Sequence, residues 1–303
     1  MNTIDFIFIG AQKSGTTALH EYMKNHPSII LPKGKEAPFF NRDEYYKLGI
    51  AQYIQKTYPK YKKNGDLWGK ISPQYMSNEL ISKRVLTSLP DAKLFAILRD
   101  PIQRAKSHYV MSVQRGLETR DINAAFEQLL NPGNLARSRE LDSTQASESS
   151  CYIAWSEYGR ILDIYQRLRP DNPPVVFYFE DMLENPIEFM KCIFDTLGVD
   201  RNYTSPIVGK QVFKSGENSL IKILKKISSN DAIRKMWRSI PVNIRSQMYF
   251  TVEQSLSKIK INNSQNEKVS TIIHPDLMQE LKANFRADID SSLIIKGHDK
   301  WSV

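Results

Sequence analysis

Residues 4 to 24, IDFIFIGAQKSGTTALHEYMK, constrain the fold more than any other stretch. The apolar run Phe6–Ile9 reads as a buried strand that ends at Gly10. A short loop follows, with Lys13 inside it and Gly15 near its end. Thr16 and Thr17 then open a helical pattern. Strand, glycine-bounded loop and helix N-terminus make a phosphate cradle. Backbone N–H groups converge there, and the helix dipole favours an anion.

Further strand signals at Leu67–Ile71, Lys93–Leu98 and Val175–Phe179 alternate with helical patterns. This alternation predicts an α/β fold: one P-loop-like domain over 1–303, with a central parallel sheet covered by helices on both faces. Asn78 to Ser88 reads as a helix, with Leu80, Ile81, Val85, Leu86 and Leu89 at helical spacing. Pro101 suits the first helical position behind Asp100 as N-cap. Pro186 opens a helix over Ile187–Leu197 that Gly198 stops. Asn131 to Ser150 is polar and serine-rich and reads as a loop, either inert or an active-site lid. From 219 on the chain reads as helical. Leu220, Ile223, Leu224 and Ile227 form a stripe flanked by Lys222, Lys225 and Lys226, which either packs on the body or docks an acidic partner. Leu277, Leu281 and Phe285 mark a helix over Pro275–Ala287.

The cradle departs from the nucleotide-triphosphate pattern G-x-x-x-x-G-K-[ST] at one place. Gly10 and Gly15 are correctly spaced, but Thr16 stands where the lysine belongs. The loop lysine is Lys13, which would approach a phosphate from a different side. The strand that would supply a magnesium-binding Asp ends in Arg99, with Asp100 before Pro101. The loop therefore reads as a phosphate site not built for magnesium-dependent phosphoryl transfer. A P-loop kinase or NTPase is the enzymatic rival, and an inactive nucleotide- or polyanion-binding module is the non-enzymatic one.

Four motifs taken together resemble a known family: Gly10–Thr17, Lys35-Glu36-Ala37-Pro38-Phe39-Phe40, Lys70-Ile71-Ser72-Pro73-Gln74-Tyr75, and Leu98 to Tyr109. Their order and spacing are similar to those of the PAPS-dependent sulfotransferases (PAPS is 3′-phosphoadenosine 5′-phosphosulfate). The nearest branch holds the heparan-sulfate-type and many bacterial enzymes. The resemblance covers about residues 4 to 200, and the tail resembles the family loosely through Asn284-Phe285-Arg286 and Lys300-Trp301.

The resemblance implies transfer of a sulfuryl group from PAPS to a hydroxyl or amine, leaving PAP, the 3′,5′-bisphosphate, without a metal. It gives Lys13 to the 5′-phosphate and the bridging oxygen, with Ser14, Gly15, Thr16 and Thr17 holding that phosphate. Glu36 becomes the general base, a role that desolvation by Phe39 and Phe40 would suit. Lys70 supports the sulfuryl group and the leaving oxygen. Arg99 and Ser107 take the 3′-phosphate, where a guanidinium fork matches a phosphate. A late loop contacts the nucleotide; here it falls on Lys214, Ser215 and Gly216, without the family's usual Gly-Arg pair. Tyr158 is a weaker candidate for the nucleotide, and His108 either packs or serves as an alternative base.

The charge balance, 42 Lys and Arg against 33 Asp and Glu, suits an anionic cosubstrate or a sulfated glycan as well as plain solubility. No nucleic-acid motif or long basic block is present. No stretch reaches the ~18 apolar residues of a membrane span. Golgi relatives carry an anchor, so a cytoplasmic enzyme acting on a small metabolite or natural product is expected, with a glycan acceptor as the alternative. Cys151 and Cys192 read as reduced, buried small residues, and no Cys/His cluster has zinc-ligand spacing.

Overall fold

The computed structural model describes residues 3–35, 37–59, 61–141, 147–209, 269–295 and 297–303. Its centre is strand β1 (Phe6–Gly10), buried along its whole length. The chain then runs through α1 (Thr16–Met23), β2 (Ile29–Ile30), α2 (Asp43–Tyr46), α3 (Ile50–Thr57), β3 (Leu67–Ile71), α4 (Glu79–Ser88) and β4 (Lys93–Leu98). Next come α5 (Pro101–Gln114), α6 (Ile122–Leu130), α7 (Pro132–Glu140), α8 (Tyr158–Leu168), β5 (Val175–Tyr178), α9 (Phe179–Glu184) and α10 (Pro186–Leu197). A last described helix, α11, covers Pro275–Asp290.

The five strands are all parallel, in the order β2-β3-β1-β4-β5. From β1 the chain runs to the far edge at β2, returns inward to β3, then crosses β1 to β4 and β5 on the other side. Ligands of open α/β sheets bind outside the carboxyl ends of the strands at such a reversal. Gly10 and Arg99 stand at the two strand ends that flank it.

The alternation within β1 explains why both faces are covered. Ile7 and Ile9 point into a core with Trp68, Leu94, Ala96 and Leu98 from the sheet, Tyr53 and Ile54 from α3, Ile81 and Val85 from α4, and Ile161, Leu162 and Tyr165 from α8. Phe6 and Phe8 point the other way, against Leu19 and Met23 of α1 and Phe189, Ile193 and Phe194 of α10. A third cluster joins α5, α6 and α11 through Ile102, Phe126, Leu277, Leu281 and Phe285.

The helix ends follow their sequence signals. Asn78 accepts from the Ile81 N–H, and Asp100 from the Gln103 N–H at 2.8 Å, with Pro101 in the first turn. Gly198 closes α10 in the left-handed region. Helix α11 extends to Asp290, one turn beyond the expected Ala287, and buries Ile289.

Some expectations need correction. Nine residues of the stretch read as a loop from 131 to 150 form helix α7. Asn131 caps it by accepting from the Gly133 N–H, Pro132 sets its first turn, and Leu135 and Ser138 are buried. A second part, Glu148–Ser150, is a 3-10 turn with Glu148 buried, and 142–146 lies outside the described residues. Cys151 is buried as expected, but Cys192 is exposed on the outer side of α10. The two-residue β2 carried no strand signal long enough to read. The Leu220–Ile227 stripe lies outside the described residues.

Helix α8 meets α11 at Gly159, where an added Cβ would stand 2.1 Å from the backbone oxygen of Asp288. The Asp288 carboxylate in turn accepts the Gly159 and Arg160 N–H groups at 2.7 and 2.9 Å, capping α8 from another helix. Backbone cannot yield as a side chain can. Gly159→Ala should therefore cost about 1–3 kcal/mol in stability, measured by denaturant unfolding; an unchanged midpoint would mean that this contact is looser than its geometry.

Candidate active site

The loop after β1 is shaped by local backbone geometry. Gly15 caps α1 from the left-handed region at φ 81°. A Cβ there would also lie 2.7 Å from the Phe179 ring. Lys13 adopts φ 73° as well, a conformation that costs a non-glycine residue energy and gathers at functional sites. The first-turn N–H groups of a helix have no intrahelical acceptor, so Gly15, Thr16 and Thr17 present donors at the loop. Ser14 and Thr16 are buried; Thr17 is half-buried. The Ser14 hydroxyl and Gln12 Oε1 have no hydrogen-bond partner among the described residues.

Arg99 leaves the end of β4 and donates to the Lys13 carbonyl at 3.2 Å. Its guanidinium lies over the Phe179 ring, 5.1 Å from the centroid. The rest of the fork makes no hydrogen bond among the described residues, and the Lys13 ammonium makes none at all there. Burial, then the charges of Arg115, Arg99 and Arg104, pushes Lys13 down from 10.5 to about 8. Burial also lowers Arg99. Ser107 is half-buried two turns along α5. The structure thus brings Lys13, the cradle residues and Arg99 together at one strand-end crevice.

Asp100, beside Arg99, is fully engaged elsewhere. Its backbone N–H donates to Glu180 at 2.9 Å, and its carboxylate accepts from Gln103 and from both the N–H and hydroxyl of Ser302. The carboxylate next to the cations is therefore spent on capping and on tethering the tail.

Lys70, one residue from the end of β3, is fully buried. Its ammonium donates to the Ala37 carbonyl at 2.8 Å and lies over the rings of Tyr53 and Tyr75. Tyr53 donates to the same carbonyl at 3.2 Å. The backbone beside Glu36 is thereby pinned to Lys70. Glu36 itself lies outside the described residues, as do Lys214, Ser215 and Gly216. Phe39 and Phe40 are both buried, with ring centroids 4.9 Å apart.

His108 packs; it does not reach solvent. It is fully buried, stacked on Trp155 at 5.3 Å and edge-on to Tyr152. Burial, with Arg104, Lys13 and Arg115 nearby, pushes it well below its ordinary value, so the ring is neutral. Tyr158 is buried, and its hydroxyl finds no hydrogen-bond partner among the described residues. Burial raises it, while Arg104, the Arg99 backbone and Ser14 pull the other way. Tyr158 therefore stands beside the cradle.

Sequence reading missed Arg104, Arg115 and Glu148. Arg104 is fully buried, and its charge reaches Lys13. Arg115 holds the buried Glu148 by two contacts, at 3.0 and 2.7 Å. Arg104, His108 and Ser112 recur every four residues along α5. That polar stripe was the available signal, and all three are buried.

A lysine lowered in the folded state costs stability where it is charged. Between the folded value near 8 and the unfolded 10.5, the unfolded chain binds the extra proton, so stability rises with pH in that window. Relative to Lys13→Met, the ligand-free protein should gain up to about 3 kcal/mol as pH rises from 8 to 10.5. Unfolding curves of both proteins across that range check this, and parallel pH profiles would place Lys13 in solvent.

Comparison with known proteins fits this geometry. The family described as "Sulfotransferase domain" matches residues 3–291. The membrane-associated sulfotransferase kil1 of Dictyostelium discoideum is 37% identical over 131 residues, 42% of this chain and 27% of that protein. The bifunctional heparan sulfate N-deacetylase/N-sulfotransferase 2 of Bos taurus is 27% identical over 206 residues, 66% of this chain and 22% of that protein. The matches thus span about a quarter of these relatives' own length. Among solved structures, a sulfotransferase from Alicyclobacillus acidocaldarius shares the fold, with a TM-score of 0.60 at 20% identity over 96% of this chain and 94% of that one. A family match across nearly the whole chain, on a sheet whose switch point carries the cradle, makes this protein a member of the sulfotransferase family.

Proposed function

We propose that the chain transfers a sulfuryl group from PAPS to a hydroxyl or amine of an acceptor and releases PAP. One observation carries the reading. Among the described residues, the Lys13 ammonium and most of the Arg99 fork make no hydrogen bond at the carboxyl ends of β1 and β4, beside the Ser14 and Tyr158 hydroxyls, which find no hydrogen-bond partner there either. Cations held half-buried, and buried donors, are costly without partners, and an anion with several acceptor oxygens satisfies both.

PAPS fits that donor set. Its 5′-phosphate suits the cradle of Ser14, Gly15, Thr16 and Thr17, with Lys13 at the bridging oxygen. Its 3′-phosphate suits Arg99 and Ser107. As the sulfur–oxygen bond to the phosphate breaks, the leaving oxygen gains charge, which Lys13 offsets. The acceptor oxygen or nitrogen forms the new bond to sulfur and gives its proton to Glu36, the proposed base. Lys70, anchored on the backbone beside Glu36, supplies a second positive charge near the transferring group. Burial and stacking of His108 speak for Glu36 over His108 as base. Positioning and electrostatics thus do the work, as in phosphoryl transfer.

A small metabolite or natural product is the proposed acceptor, and a glycan is the alternative that an acceptor screen with sulfur-labelled PAPS decides. The relatives named for heparan sulfate support keeping both in the panel.

PAP at ~100 times its dissociation constant should stabilise the protein by about 2.7 kcal/mol without any metal. Stabilisation by ATP with magnesium and none by PAP would mean a nucleotide triphosphatase or kinase. Arg99→Ala should weaken PAP far more than adenosine 5′-phosphosulfate, which lacks the 3′-phosphate; equal losses in calorimetric titrations would remove that assignment. Glu36→Gln should lower turnover by about 10²–10⁴-fold with PAPS affinity kept. Near-normal turnover in steady-state assays would move the base elsewhere.

A further inference from the structure

Arg104 sits on the buried face of α5, with no exposed surface. Its Nε donates to the Ser156 hydroxyl at 2.6 Å, one terminal nitrogen donates to the Tyr152 carbonyl at 2.6 Å, and the other lies 3.4 Å from His108 Nδ1. Every contact is neutral. Among the described residues no carboxylate pairs with it, whereas Arg115, Arg120, Arg139 and Arg160 each pair with a buried glutamate. A buried charge without a counter-charge is expensive. Burial lowers Arg104 from 12.5 to about 10.

Its contacts also have a direction. The Ser156 hydroxyl lies within hydrogen-bond distance of the Pro101 carbonyl at 3.0 Å and the Tyr152 carbonyl at 3.1 Å. Arg104 and Ser156 together lock residues 152–156 onto the first turn of α5. The next residues, Glu157 and Tyr158, open α8, and Tyr158 brings its hydroxyl beside the cradle. Glu157 cannot serve as the missing counter-ion, because it is held by Arg139 and Arg160.

We propose that Arg104 is a positioning residue for the anionic cosubstrate, one that no contact with the acceptor or the reacting atoms requires. Its unneutralised charge sets the positive potential of the cradle, and its fork holds the turn that presents Tyr158. The phosphates of the cosubstrate supply the missing negative charge from a short distance. This rests on the PAPS reading given above, although the charge itself acts on any anion in the cradle.

Lys13 reports that potential. The charged groups around it are Arg99 at the end of β4, Arg104 and Arg115 on α5, and Glu148 in the 3-10 turn, with the neutral His108 ring on α5 beside them. The test uses the full chain with Arg104→Met, Arg104→Lys and Ser156→Ala. Three readouts are needed: calorimetric affinity for PAP, calorimetric affinity for inorganic pyrophosphate, and the pH profile of Lys13 acylation read by mass spectrometry.

Removing the charge in Arg104→Met should weaken both anions by about tenfold or more, because a charge acts strongly across a low-dielectric interior. It should also move the Lys13 profile to higher pH. Arg104→Lys should restore the Lys13 profile but not the full PAP affinity, since the fork is lost. Ser156→Ala should weaken PAP while leaving the Lys13 profile unmoved. If Arg104→Met does not fold, Arg104→Gln, which keeps an amide donor, reports the same loss of charge. An unmoved Lys13 profile in the neutral variants, or anion affinities equal to wild type, overturns the proposal. A wild type that binds pyrophosphate but not PAP defeats the PAPS reading instead, and the pyrophosphate and Lys13 readouts then still decide Arg104.

Discussion

The structure depends on positive charge gathered where the sheet changes direction. Lys13, Arg99 and Arg104 meet around the carboxyl ends of β1 and β4, and three described carboxylates around them are engaged elsewhere, while Glu180 acts on Arg99. Asp100 caps α5 and holds Ser302, Glu148 is paired with Arg115, and Glu157 is paired with Arg139 and Arg160. A folded chain that leaves buried cations unneutralised gives up stability. The rest of the fold offsets that loss through two apolar layers on the sheet and a third under α5, α6 and α11. On the proposed reading an anion would turn that cost to use, since Asp100, Glu148 and Glu157 are already held by other groups.

The packing explains why the site can be rigid. β1 is buried on both faces, and its end is fixed between β3 and β4 by parallel pairing. The loop that follows is held by Gly15 against Phe179, at the start of α9. Asp288, on α11, caps the helix that carries Tyr158. Burial raises Asp288 from 3.8 to about 6, against the pull of the two N–H groups. The tail adds Trp301 against Tyr158 and Tyr178, with ring centroids 5.9 and 5.6 Å away. Distant parts of the chain thus converge on a few side chains at one sheet edge.

Much of this was legible in the sequence because it is local. The strands β1, β3 and β4 announce themselves as short apolar runs, and Asp100-Pro101, Asn185-Pro186 and Gly198 mark helix ends whose chemistry needs no distant partner. Lys13 and Arg99 were found through motif spacing, and the fold brings them together. What the sequence hid depends on tertiary context. Helix α7 looks like a polar loop because only Leu135 and Ser138 turn inward. Cys192 and Cys151 look alike, yet one faces out of α10 and the other packs near Arg104. Arg104 and Arg115 drew no reading, since the polar stripe along α5 does not by itself say whether it faces solvent or the interior.

The central claim is that Lys13 waits partly deprotonated for a phosphate-bearing ligand. Its most direct test is the number of protons taken up when PAP binds, measured by calorimetry at pH about 8.5 in buffers of different ionisation enthalpy. A phosphate ester with a second pKa near ~6 is already ionised there, so the ligand contributes little. The anion should raise Lys13 from its value of about 8, and the complex should take up a substantial fraction of one proton, falling toward zero near pH 7. No uptake at pH 8.5, or net release, would show that the ligand does not meet Lys13 and would contradict the account.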